Sequence, residues 1–207
     1  MPITWLRTKT PEQVHDAVSG FAAEYVVHWN QWLNCPEQDR VVAFGSILRR
    51  WQAVRPRTMR RPRHGAPHPA PHLEDIFSNV APYLATIQNL DLLSFGERAA
   101  ADQRALGELW KHLKTLAIES PATCVGITKG VLLLTNGRIG PAIDSEVRKR
   151  LALGPITTAE RWIDVLDQAS EDVIMFEERW GSLRDAVPPA FADLGYGRLY
   201  DMTAGPR

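Results

Sequence analysis

Cysteine is scarce in this chain. Cys35 and Cys124 are the only two in 207 residues, and they belong to no Cys-x-x-Cys or Cys/His group. That spacing excludes a structural zinc site and a cysteine-held iron–sulfur cluster, and both thiols are expected to be reduced and buried. Net charge is lacking as well. The 24 Lys and Arg balance the 24 Asp and Glu, so no global field draws the chain to nucleic acid or to an anionic membrane, and any such attraction must be local. No apolar run approaches the roughly eighteen residues of a membrane span, and Met1-Pro2-Ile3-Thr4-Trp5 lacks the charged region and apolar core of a signal peptide. The expectation is a cytoplasmic protein without membrane contact. Gly-rich phosphate loops, a Gly-x-Ser-x-Gly elbow, His-Glu-x-x-His and a dinucleotide fingerprint are all missing, which removes the common kinase, hydrolase and dehydrogenase classes. No cofactor is expected.

What is present is helical periodicity. Thr10-Pro11-Glu12-Gln13 is a capping box with proline in the first turn, and Val14, Val18, Phe21, Tyr25, Trp29 and Leu33 follow on one face. Asn34-Cys35-Pro36-Glu37-Gln38 starts a second helix through Val41, Phe44, Leu48 and Trp51. Leu73, Ile76, Phe77, Val80, Leu84 and Ile87 mark another, with Pro82 expected to kink it or begin a new one. Leu106 to Leu116 carry the next. Ser120-Pro121 caps a helix whose Val131-Leu132-Leu133-Leu134 is apolar on several faces and therefore central. Thr157-Thr158-Ala159-Glu160 caps a long helix expected to run to Trp180 and stop at Gly181. Beyond it, Pro188-Pro189 and Gly195-Tyr196-Gly197 leave room for at most a short helix between them. No segment alternates as a strand does. The fold class is all-α: one domain over 1–207, a bundle of about seven helices, because every long segment has the helical period.

Residues 55–72 interrupt the pattern. Arg55, Arg57, Arg60, Arg61 and Arg63 alternate with Pro56 and Pro62, and His64, His68 and His72 with Pro67, Pro69 and Pro71. Proline at that density forbids a helix, so the histidines do not share a metal-binding face and no metal site is expected. The segment reads as a long basic loop. Arg57, Arg60, Arg61 and Arg63 are candidates for phosphate contacts, set against a solvated loop or one paired with the protein's own acids. Seven tryptophans are many for this length. Trp29, Trp51 and Trp162 fall on apolar faces and belong to the core, whereas Trp5 and Trp32 are undecided.

The remaining motif is Val125-Gly126-Ile127-Thr128-Lys129-Gly130, then the apolar helix, then Asn136-Gly137-Arg138-Ile139-Gly140-Pro141-Ala142-Ile143-Asp144-Ser145-Glu146-Val147-Arg148. Over about thirty residues this resembles the second half of the helix-hairpin-helix DNA glycosylase superfamily. The resemblance implies that Gly126 lets the backbone approach a DNA phosphate. It implies that Asp144 assists cleavage of the bond between base and sugar, that Lys129 corresponds to the nucleophilic lysine of bifunctional members, and that Arg148 sits on a DNA-facing basic helix. Cys124 stands where the family's first hairpin glycine belongs, and Lys129 lies one place beyond the family lysine. On the residues alone, Asp144 before Ser145-Glu146-Val147 is also an ordinary helix N-cap. Two functions of different kinds stay open. One is a nucleic-acid-associated helical protein with DNA or RNA as partner; the other is a non-enzymatic interaction protein that docks a protein partner or a second copy of itself.

Overall fold

A computed structural model describes residues 2–65 and 69–207. Among them the fold is all-α, with nine α-helices and no strands beyond one isolated bridge. The helices are α1 (Pro11–Ser19), α2 (Ala23–Leu33), α3 (Arg40–Arg50), α4 (Leu73–Thr86), α5 (Ala100–Leu113), α6 (Cys124–Leu134), α7 (Ser145–Arg150), α8 (Ala159–Trp180) and α9 (Tyr196–Ala204). Helix α6 is the hub: it is buried continuously from Gly126 to Leu133 and packs against α3 and α5. Around it α4 and α5 pair along their lengths, α8 covers α5, α2 lies on α3, and α9 closes the bundle against α1 and α7. The buried apolar side chains form a single cluster from Ile3 to Ala204. No described helix is long and apolar enough to cross a membrane.

Local chemistry sets several ends as expected. Thr10 and Gln13 close the capping box of α1, and Thr158 caps α8, which ends at Gly181. Other elements differ from expectation. The first helix is two, because Gly20 ends α1 on the carbonyl of Asp16 and the chain turns through Phe21 before α2 begins. Helix α4 runs through Pro82 without a break; Pro82 and Ser78 both reach the surface, so the carbonyl that proline leaves without a donor is open to water. The cap of α6 is Thr123, past Ser120-Pro121. The largest correction is α9. It begins within the expected glycine turn and buries all nine of its residues, so it shows no polar face to reveal it in the sequence. The helix count accordingly rises from about seven to nine among the described residues.

The described part of the basic segment is anchored. Met59 pairs with Ala117 in the isolated bridge, Arg60 N–H donates to Leu116 O at 2.8 Å, and Ile118 N–H donates to Thr58 O at 2.8 Å. Met59 is wholly buried, which ties the segment to the core beside the end of α5. Trp29, Trp51 and Trp162 are core residues. So is Trp32, whose indole N–H donates to Leu133 O and Asn136 Oδ1. Trp5 is half-buried and donates to Thr203 Oγ1. Both cysteines are free but half-buried rather than buried.

Candidate functional site

Helix α6 ends in a Schellman turn. Asn136 takes the left-handed conformation (φ 49°), Gly137 N–H donates to Leu132 O, and Asn136 N–H donates to Leu133 O. Gly137, at φ 78°, has no room for a side chain, since a Cβ would lie 2.6 Å from that of Arg198. The chain then doubles back along α6 through residues 138–143. Three side chains hold three backbone amides of this return. Thr135 Oγ1 accepts from Ile139 N–H (3.2 Å), Asp201 Oδ1 from Ala142 N–H (3.1 Å), and Thr128 Oγ1 from Ile143 N–H (2.8 Å). Thr128 lies on α6, Thr135 caps its end, and Asp201 lies on α9.

The return delivers Asp144 to Lys129. Asp144 Oδ1 accepts from Glu146 and Val147 N–H, both at 3.0 Å, and so caps α7, while Oδ2 lies 3.6 Å from Lys129 Nζ. One carboxylate therefore serves as both cap and ion-pair partner. The Lys129 side chain is 5% exposed; its ammonium donates to Trp51 O at 2.9 Å and lies 5.4 Å from the Tyr25 ring centre. Burial pushes the Lys129 pKa below the usual lysine range, opposed by the charges of Asp144 and Asp201.

A second ion pair backs the first. Arg198 Nη1 meets Asp201 Oδ2 at 2.6 Å, and the guanidinium lies against the Phe21 and Trp29 rings, 4.8 and 4.7 Å from their centres. Burial drives both partners towards their neutral forms, lowering the Arg198 pKa and raising that of Asp201, and each charge opposes the other's shift. Arg198 Nε has no hydrogen-bond partner among the described residues. Lys129, Asp144, Arg198 and Asp201 wall a cavity with Phe21, Tyr25, Trp51 and Pro206. Its volume of about 10 Å³ suits a single water molecule.

Of the residues singled out in the sequence, Lys129 and Asp144 come together and the others do not join them. Gly126 is buried in the first turn of α6, and a Cβ there would lie 2.9 Å from both Ala53 O and Val54 Cγ2. The close approach that this glycine permits within the fold is to the protein's own backbone at Ala53. Arg148, half-buried on α7, lies near the Cys124 thiol; burial pushes that thiol up to about 12, with Arg148 acting against the shift. The arginine patch is corrected in part. Arg60 is 8% exposed and donates to Thr115 O and Pro69 O, and Arg63 pairs with Asp75 at 2.6 Å. Among the described residues, only Arg57 and Arg61 of the four stand exposed without an ion pair. His72 caps α4 and donates its backbone N–H to Asp75 Oδ2, while His68 lies outside the described residues.

Sequence reasoning missed Arg198 and Asp201. Their spacing of three on a helix was the one available signal, and it is lost without knowing that α9 exists. No protein-family model matches the chain, and no significant match was found among curated proteins or solved structures.

Proposed function

We propose that this is a nucleic-acid-associated protein whose Lys129–Asp144 pair is the centre of base-release chemistry on a nucleoside. The observation that carries this reading is the meeting of two residues fifteen apart in sequence, on the wall of one aromatic-lined cavity, with Nζ and Oδ2 at 3.6 Å. Breaking the bond between base and sugar develops positive charge on the sugar, and a fixed carboxylate beside it stabilises that charge. The two amides that hold Oδ1 keep Asp144 in place, so Oδ2 is the oxygen available for this role. The cavity admits a single water and not a nucleoside, so the sugar would meet Asp144 from the solvent side, where its side chain is 16% exposed. Burial lowers the Lys129 pKa and the charge of Asp144 opposes that shift, so the two act as one coupled pair at the cavity wall.

The test is base release from duplexes carrying a panel of damaged bases, with wild type beside Asp144→Asn. The amide retains the cap but not the charge, so release should fall by about a hundredfold or more; because the variant also leaves the buried Lys129 charge without its carboxylate, rates are compared well below the melting temperature of both proteins. No release from any duplex, or equal rates in the two proteins, would overturn the reading. Self-association is a second reading, favoured by Ile174, Met175 and Trp180 on α8, which are 39–42% exposed. Sedimentation equilibrium decides it: a dimer supports it and a monomer at micromolar concentration rejects it.

A further inference from the structure

A nucleic-acid partner needs cations free to meet its phosphates, and in the arginine segment Arg60 is buried and Arg63 is paired at the surface with Asp75. A different cluster stands elsewhere. Lys9 ends the N-terminal segment, Arg150 ends α7, and Arg207 follows α9. The Lys9 ammonium lies 3.8 Å from the Trp5 ring centre. Arg150 with Leu151 and Ala152 faces Pro2, Thr4, Trp5 and Thr8 across a groove of about 500 Å³. The Arg150 guanidinium also donates to Gly205 O, which draws the 205–207 segment alongside.

None of the three cations has a carboxylate within ion-pair distance among the described residues. Asp172, the acid that acts on Lys9, already accepts from Leu6, Arg7 and Tyr200. The crowding is felt: burial first, then the charges of Arg207 and Arg150, lower the Lys9 pKa. Like charges gathered without an acid destabilise the free protein and are relieved when an anion binds.

We propose that Lys9, Arg150 and Arg207, with the Trp5 indole and the groove beside it, form the surface that seats the phosphate backbone of a nucleic acid. The Lys9 ammonium over the Trp5 indole, and Arg150 across the groove that the indole lines, match a polymer that alternates phosphates with flat bases. The surface adjoins the cavity of the proposed chemistry, because Arg150 holds Gly205 and the next residue, Pro206, is a wall of that cavity. This deepens the base-release reading and rests on it for the choice of partner.

The experiment is fluorescence anisotropy of a labelled duplex and a labelled single strand, titrated across a range of KCl concentrations. The proteins are wild type, the triple variant Lys9→Gln/Arg150→Gln/Arg207→Gln, the single variant Lys9→Gln and the control Arg104→Gln/Lys111→Gln, two exposed cations on α5 outside either basic cluster. The Lys9 ammonium rests only on the Trp5 ring, so the single variant keeps the fold whatever becomes of the triple. The triple variant should bind at least about tenfold more weakly, and the slope of its salt dependence should fall by about 0.9 for each phosphate that it no longer neutralises. Lys9→Gln should move both quantities in the same direction, and the control should move neither. Unchanged affinity and slope in the triple variant, or no binding of either nucleic acid at low salt, would overturn the surface. Base release is assayed on the same proteins. Binding that depends on the three cations without release from any duplex sustains the surface and removes the chemistry; release with unchanged binding in the triple variant does the reverse.

Discussion

Asp144 shows how one side chain carries two duties through its two oxygens, with Oδ1 on the α7 amides and Oδ2 towards Lys129. Its substitutions separate those duties. Asp144→Ala removes cap and charge together, whereas Asp144→Asn removes only the charge, so urea unfolding should find the alanine variant less stable by about 1 kcal/mol. Equal stabilities would show that the cap contributes nothing. Asp172 is a second concentrated point. Fully buried on α8, it accepts from the amides of Leu6 and Arg7, from Arg7 Nε and from the Tyr200 hydroxyl. Asp172→Ala would strand the charge of Arg7 and several donors at once, and should cost about 3–5 kcal/mol by the same measurement. A loss below about 1 kcal/mol would mean that these groups find water instead. In the sequence, Asp172 is one acid among several on a long helix. Its burial depends on the N-terminal segment lying across α8, a contact spanning 166 residues of chain.

Between elements, the decisive contact is α9 against the return after α6. Arg198 N–H donates to Gly137 O at 2.7 Å, and Gly197 N–H donates to Arg138 O at 3.3 Å. A Cβ on Gly197 would fall 2.3 Å from Gly140 N, where backbone meets backbone and no side chain can yield. Gly197→Ala should therefore separate α9 from the loop that delivers Asp144, at a cost of about 3 kcal/mol or more. Gly107 on α5 is the contrasting case: its Cβ would meet nothing within 4 Å, so Gly107→Ala should raise stability by about 0.5–1 kcal/mol through helix propensity. Thermal unfolding of the pair checks both signs. Glycine near Pro188-Pro189 reads locally as turn chemistry, and at Gly197 that inference fails because glycine serves a helix contact instead.

For the whole molecule, alkaline pH is a probe of packing. Burial raises the pKa of Tyr25 and Tyr196 and takes that of Tyr200 well above the usual tyrosine range; the neighbouring Asp172 raises Tyr200 further. A folded state that keeps these protons after the unfolded chain has lost them becomes less stable as pH rises above about 10, because the unfolded state then binds fewer protons. Phenolate absorbance on titration should lag behind that of the chain in denaturant, then rise together with loss of the helical circular dichroism signal. Full phenolate formation with the helix signal intact would contradict the burial of these three residues.

By itself the sequence determined the all-α class, the capped starts of α1 and α8, the stop at Gly181, and the core tryptophans 29, 51 and 162. Those features are written in local chemistry: caps, helical period and residue type within a few positions. Only the tertiary structure decided that Lys129 and Asp144 touch, that Arg198 and Asp201 stand behind them, and that α9 exists at all. It also decided which cations are free. Arg60 and Lys9 are alike in charge, but Arg60 lies under the chain at Thr115 while Lys9 stands beside Trp5 with Arg150 near it. The physical reason is common to all of these: ion pairs, burial and close backbone contacts depend on distances between segments remote in sequence, and no local pattern encodes such distances.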